Sequence, residues 1–496
     1  MRTVAELYFG DHSVSGEVGR LAVRGGIISV VGGYGSAALQ LIAAVVLARL
    51  LTPDDFGVVA IITALTSFAP LLIDFGMADA TIQRSRITPG QVSSLLWISC
   101  AIGLAVAGVL AGCSSLIASV YHDPRLRSIA LYSALTFALS GLSGQHLSLL
   151  RRALQFATVA KIQFVAAGAS LLIAIALALC GAGYWALVVR PISNAGFVTV
   201  GAWLACRWRP GMPTFDGEVK SMIAFGLHVV GFGITYSFSR ALDRLGLGLF
   251  YGAQQVGYYQ NASTLYDNSI FSALSQLHNV GAAALSRLQS DHSVLREKYT
   301  SALSMTAFFM MPAAGVLSVI APDLIPIVLG PQWRPTGALL AILALRGVFQ
   351  VIEGSQGWLH LSLGRADRWK NWGVLTAVVQ AGAVACGIPF GTTGVAVAVT
   401  ATSALIALPS ISYAGRPGGV GVTMVVRAIH PQFLGTATCI AAGWLAKETV
   451  LQQFDGIWRI TASVVLCAAV YLLIVVGVFR LFNPLGVILR LIHQLR

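Results

Sequence analysis

Charge is what this 496-residue chain has least of. Only 10% of its residues are Asp, Glu, Lys or Arg, where ordinary globular proteins carry about 25%. With 56% hydrophobic residues, that scarcity excludes a soluble globular protein. Cysteine chemistry is missing too. The cysteines (Cys100, Cys113, Cys180, Cys206, Cys386, Cys439 and Cys467) are scattered through apolar runs without a CxxC pair and are expected to act as small core hydrophobes. No nucleotide loop and no HExxH is present, and His228, His278 and His360 lack metal-ligand spacing, so neither a metal nor a cofactor is expected. No signal peptide is evident, because the first apolar run is too long for a signal-peptide core.

Nearly continuous apolar runs are what the chain has instead. They fall at about 25–51, 56–83, 92–120, 128–150, 157–180, 183–205, 221–251, 255–284, 299–329, 336–363, 372–389, 392–414, 424–446 and 458–481, each long enough for a transmembrane helix. The expectation is an all-α integral membrane protein of about 14 transmembrane helices.

The net charge of +13 would suit a nucleic-acid partner, but the basic residues lie between the apolar runs. With the N-terminus cytoplasmic, 22 of the 32 Lys and Arg residues fall on the cytoplasmic side, 6 on the opposite side and 4 inside spans (Arg190, Arg240, Arg244 and Arg346). That bias predicts both termini in the cytoplasm. Connections on the opposite side are too short to fold as a domain.

A slide of 200 residues pairs Gly57 with Gly257 and Leu47 with Leu247, with few further identities. The stronger sign of duplication is two matching turns, Leu50-Leu-Thr-Pro53-Asp-Asp-Phe-Gly57 and Phe250-Tyr-Gly-Ala253-Gln-Gln-Val-Gly257. The expected organisation is a cytoplasmic segment 1–24, an N-lobe 25–205 of six helices and a linker 206–220. A C-lobe 221–414 of six helices and a region 415–496 with two extra helices complete it.

The candidate functional residues are the few charges inside spans, where such groups face the protein interior or a wet cavity. In the stretch from Ser237 to Gln260, Arg240, Asp243 and Arg244 are spaced to share one helix face. In the tenth run, Arg346, Glu353 and His360 recur every seven residues, within about 20° of two full turns. They form a stripe about 21 Å long. Arg190-Pro191 is expected to break the sixth helix, and Pro70 and Pro312 to kink theirs. Arg24 and Arg49 lie at span ends, and Asp74 and Asp267 are further buried-acid candidates. Arginines of this kind suit phosphate oxygens. The carboxylates Asp74, Asp243, Asp267 and Glu353 would tune them or bind a coupling cation. Equally, pairs such as Asp243 with Arg244 could lock the fold as mutually satisfied ions.

Several segments resemble one family. They are Leu47-Ala-Arg-Leu-Leu-Thr-Pro-Asp-Asp-Phe-Gly57, Asp74-Phe-Gly76, Gly183-Tyr-Trp-Ala-Leu187, and Leu242-Asp-Arg-Leu-Gly-Leu-Gly-Leu-Phe-Tyr-Gly252 with Gly257-Tyr-Tyr259. With them the chain resembles the polysaccharide-exporter branch of the MOP superfamily, the Wzx-type lipid-linked oligosaccharide flippases, and within it the WzxC-like group. Leu249 and Phe250 depart from the basic and aliphatic residues many relatives carry there.

The resemblance implies two helical bundles around a central cavity that opens alternately to each side of the bacterial inner membrane. It also implies an undecaprenyl-diphosphate-linked oligosaccharide as substrate. Arg24, Arg190, Arg240, Arg244, Arg346 and His360 would line the substrate path. Membrane lipids, H+ or Na+ as a coupling ion, and the polysaccharide polymerase and export machinery are the other partners it suggests, with no nucleic acid.

Three alternatives stand beside this reading. A lipid II-type peptidoglycan-precursor flippase shares the fold. A cation-coupled drug exporter would need an acid in the first span, and Gly25 to Leu51 contains none. A membrane polymerase or glycosyltransferase would need a sizeable loop or soluble domain, so the chain is not expected to be an enzyme. The charge bias itself is directly testable. Single cysteines placed at Asp216, Asp291 and Asp367 should resist an impermeant thiol reagent added outside, while those at Asp123 and Asp455 should react. An exchange between the two sets would overturn the topology.

Overall fold

Threonine followed by proline starts two of the helices in the same way. A computed structural model describes residues 8–9, 35, 38–74, 77–84, 87–214, 237–285 and 291–481. After helix α1 (Ala38–Leu50), Thr52 caps α2 (Pro53–Leu65). Its Oγ1 accepts the Asp55 N–H at 3.3 Å, and the Asp55 carboxylate accepts the Thr52 N–H at 2.9 Å. Thr88 and Gln91 repeat this capping box at the start of α5 (Pro89–Gly112). In both, Pro occupies the first helical position, where its missing N–H has no helical partner to lose.

Between them the second run is broken into α2, α3 (Ala69–Asp74) and α4 (Met77–Gln83). Pro70 sits just beyond the first break. Then follow α6 (Ser114–Val120), α7 (Arg125–Arg152), α8 (Phe156–Leu179) and α9 (Trp185–Ala205). The second part contains α10 (Leu242–Tyr266), a π turn (Asp267–Phe271), α11 (Ser272–Leu285), α12 (His292–Val328) and α13 (Arg334–Ser362). It continues with α14 (Ala366–Gly387), α15 (Gly391–Gly415), α16 (Val422–Glu448) and α17 (Gly456–Leu472), which runs into a π turn at Leu473–Val478.

Each of the fourteen apolar runs is mostly helix where it is described, with turns at 66–68 in the second and 240–241 in the seventh; the first, second and seventh are described only in part. By length and composition alone, nine stretches of the described residues could cross a membrane; the one at Asp367–Gly418 contains both α14 and α15. Four cysteines are buried as expected, but Cys113, Cys180 and Cys386 are exposed, at or near the ends of α5, α8 and α14. The break expected at Arg190-Pro191 is absent, since α9 runs through it. Proline's fixed φ is itself helical, and α9 is held along its length by α7 and α8. Pro312 likewise lies inside α12.

The chain divides into two compact units, residues 1–257 and 258–496. In the first, α7 packs between α5 and α9, and α8 lies along α9. At the start of α7, Arg125 joins Asp54 of α2 at 2.5 Å to Asp123 at 2.7 Å. Burial pushes the Asp123 carboxyl up, but the hydrogen bonds from Arg125 outweigh it and hold the group below the ordinary aspartate range. In the second unit, α13 is central, flanked by α12 and α15. A buried cation ties the last helices to α12. Lys447 of α16 lies 2.5 Å from Asp323 and donates to the Val319 carbonyl, and Arg459 of α17 approaches the same Asp323 at 3.7 Å.

One hydrogen bond recurs in the two units. Thr199 of α9 donates to the Leu139 carbonyl of α7 at 3.1 Å, and Thr400 of α15 donates to the Ile342 carbonyl of α13 at 3.2 Å. The duplicated turns show a second correspondence. A Cβ on Gly57 would collide with the Ala253 carbonyl, and one on Gly257 with the Pro53 carbonyl. The contact is reciprocal, each glycine lying against the residue four before its counterpart. Gly252, at φ 76° and ψ 178°, makes the bend inside α10 that delivers this turn, a conformation open to glycine and costly for other residues. Replacing Gly257 by Val should force the two backbones apart and lower stability by about 1–3 kcal/mol, the usual cost of overpacking. Thermal unfolding in detergent would record this, and an unchanged midpoint would contradict the contact.

Candidate functional site

The charged groups within the spans differ in how completely they are satisfied. In α13, Arg346 is half-buried, and its Nε donates to Ser403 Oγ of α15 at 3.0 Å. Its two terminal nitrogens have no hydrogen-bond or ion-pair partner among the described residues. One turn further on, Gln350 accepts a hydrogen bond from the Tyr266 hydroxyl, at the end of α10. Asp267 follows Tyr266 and opens the π turn, a distortion that often marks functional sites. Glu353 lies within electrostatic range of Arg346, but its buried Oε2 has no hydrogen-bond partner among the described residues. Arg346, Gln350 and Glu353 therefore form one polar strip on α13, with Ser403 beside its upper end and the Tyr266–Asp267 turn beside its middle.

His360 does not extend this strip as an open surface. It is only 1% exposed and packs on Tyr413 at 6.0 Å between ring centroids. The guanidinium of Arg368 lies 4.2 Å from the Tyr413 ring and donates to the Tyr413 carbonyl, while Trp372 stacks on the same ring. This end of α13 is closed by a cation–aromatic cluster. The seven-residue spacing was met, but burial divides the stripe into a polar strip and a packed end.

The charges around α10 behave differently. Arg240 lies in a turn before α10 rather than on one unbroken helix with Asp243 and Arg244, so the expected shared helical face is corrected here. The turn is held locally: Arg244 donates to the Arg240 carbonyl at 2.7 Å, and its backbone N–H donates to Asp243 at 2.8 Å. The Arg244 Nε lies 3.5 Å from the same carboxylate. Asp243 and Arg244 thus lie together as a local ion pair, the arrangement that sequence left as the alternative, although the buried Arg244 Nε makes no hydrogen bond among the described residues.

The other candidates separate further. Arg190 is half-buried in α9, and its guanidinium has no hydrogen-bond or ion-pair partner among the described residues. Asp74 is exposed, and its carboxylate accepts the Ala78 N–H at 3.3 Å, joining α3 to α4. Arg24 lies outside the described residues. Sequence reasoning missed Ser403 and Tyr266. Thr400, Thr402 and Ser403 do form a cluster of hydroxyls near the middle of α15, but that helix carries no charge to draw attention to it.

Comparison with known proteins agrees with this architecture. Over 337 residues the chain is 24% identical to the teichuronic acid biosynthesis protein TuaB of Bacillus subtilis strain 168, covering 67% of this chain and 70% of that one. It is 24% identical over 335 residues to the lipopolysaccharide biosynthesis protein WzxC of Escherichia coli K12, covering 66% and 67%. Among solved structures, the lipid II flippase MurJ in an inward closed conformation superposes with a TM-score of 0.72 at 13% identity, covering 92% of this chain and 99% of that one. At that identity the likeness speaks for the fold. The family described as "Polysaccharide biosynthesis protein" matches residues 46–337, more than half of the sequence, and the chain belongs to that family.

Proposed function

We propose that this protein is a flippase that carries an undecaprenyl-diphosphate-linked oligosaccharide across the bacterial inner membrane for exopolysaccharide or O-antigen assembly. The observation that carries the reading is Arg346, a guanidinium inside a membrane span whose terminal nitrogens have no hydrogen-bond or ion-pair partner among the described residues, in a chain of the polysaccharide biosynthesis family. An unpaired charge is expensive in a low-dielectric medium and is kept where it meets a ligand. A diphosphate needs such a cation along its route. Arginine supplies fixed charge and a fork of donors that matches phosphate oxygens. The family match favours a polysaccharide precursor over lipid II, since the MurJ likeness concerns the fold alone.

In this reading the two six-helix lobes, 25–205 and 221–414, alternate access to the substrate path, and both termini lie in the cytoplasm. No bond is made or broken, so the protein acts as a transporter and not as an enzyme. Arg190 and Arg240 would add positive charge along the route, while Asp243 and Arg244 hold the entry to α10. Replacing Arg346 or Arg240 by Ala should reduce polysaccharide export at least about tenfold, the scale of one lost charge-assisted contact, at unchanged protein level in the membrane. Normal export by both variants would defeat the reading.

Glu353 is the candidate for coupling. Its Oε2 lacks a hydrogen-bond partner among the described residues, and Arg346 acts on it at a distance. Proton uptake in one access state and release in the other would link lipid transfer to the proton gradient. Glu353→Gln keeps the shape and the hydrogen-bonding capacity but cannot titrate. Flipping in proteoliposomes by this variant should lose its response to an imposed pH gradient while substrate binding survives. Unchanged gradient dependence would leave Glu353 a scaffold residue.

A further inference from the structure

The two units carry the same helix pair, and the repeat shows which of its residues the fold needs. Thr199 and Leu139 correspond to Thr400 and Ile342, since each threonine makes the same hydrogen bond to the facing helix. The offsets are 201 residues between α9 and α15 and 203 between α7 and α13. Applied to Ser403 and Arg346, they lead to Ala202 and Ser143. At those positions the first unit has a fully buried alanine and a serine that, among the described residues, bonds within its own helix, to the Ser140 carbonyl at 3.1 Å. That helix pair packs without a charge or a hydroxyl partner for it. The Arg346–Ser403 contact is an addition to the second unit that the packing does not demand.

We propose that Ser403 is a positioning residue for Arg346, holding its Nε so that the two terminal nitrogens face the oxyanion of the lipid diphosphate. This rests on the site reading given above. Arginine can fork an anion through Nε and one terminal nitrogen, or through its two terminal nitrogens. With Nε engaged at 3.0 Å by a hydroxyl only 1% exposed, the end-on fork is the one left open. That geometry grips two oxygens of one phosphoryl group at once. A lysine at position 346 would lack both the anchored Nε and the fork.

The test is the affinity of purified full-length protein for undecaprenyl diphosphate, together with thermal unfolding of each variant. Ser403→Ala should weaken binding about tenfold, the scale of one hydrogen bond to a charged group. Its unfolding midpoint should stay within the scatter of the wild type, because the first unit packs around Ala202. Ser403→Thr keeps the hydroxyl and should restore binding. In an Arg346→Gln background, Ser403→Ala should have no further effect. A lowered midpoint with unchanged affinity would make Ser403 a packing residue, and additive losses in the double variant would show that it acts independently of Arg346; either overturns the proposal. If Arg346→Gln loses binding and Ser403→Ala does not, the positioning role alone fails. If Arg346→Gln itself binds normally, the reading of the site fails with it.

Discussion

The cost of placing charge in hydrocarbon governs this structure. A group that would be well hydrated at the surface of a soluble protein must here be paired, clasped by backbone or rings, or kept available for a charged passenger. Most of the buried charges belong to the first two classes. Lys447 is held by Asp323 and a backbone carbonyl, and Asp243 by Arg244. Arg152 donates to the carbonyls of Tyr8, Thr81 and Arg84. Arg368 lies on the Tyr413 ring. The contacts of Lys447 and Arg152 tie separate segments together, and all of these arrangements leave little capacity for a ligand. Among the described residues within spans, Arg190, the terminal edge of Arg346 and one oxygen of Glu353 stand outside them. The proposed function rests on that remainder.

Much of the fold could be read from the sequence, because a membrane helix is specified by the simplest of patterns, a long run without charge. The runs at 128–150 and 157–180 reappear as α7 and α8 with ends shifted by only a few residues. Local backbone detail was less legible. Arg240 appeared to share a helix with Arg244, because periodicity cannot reveal a turn that a side chain closes on its own backbone. Pro191 suggested a break that packing against α7 and α8 removed. The site was half legible. The seven-residue spacing located Arg346 and Glu353 together, but it could not tell that His360 would be sealed beneath Tyr413. Ser403 was invisible in another way, since its meaning depends on a neighbour 57 residues away.

Duplication supplies a control that a single domain could not. Where both units make the same contact, as at Thr199 and Thr400, the contact belongs to the architecture. Where only one does, as at Arg346 and Ser403, a local demand has been added. The reciprocal approach of Gly57 and Gly257 is a symmetric contact of another sort, made inside the first unit between two similar turns. Its symmetry in sequence and in space explains why both turns end in glycine, although their remaining residues have diverged.

The central claim is that the protein moves a lipid-linked diphosphate across the bilayer. The most direct measurement places the purified chain in liposomes that contain a fluorescent undecaprenyl-diphosphate-linked oligosaccharide in both leaflets. An impermeant reagent that destroys the fluorescence from outside then reports how much of the lipid can reach the outer leaflet. The account predicts that nearly all of the signal is lost in vesicles carrying the protein, and about half in protein-free vesicles, whose inner leaflet is protected. Loss of only about half in both would contradict it.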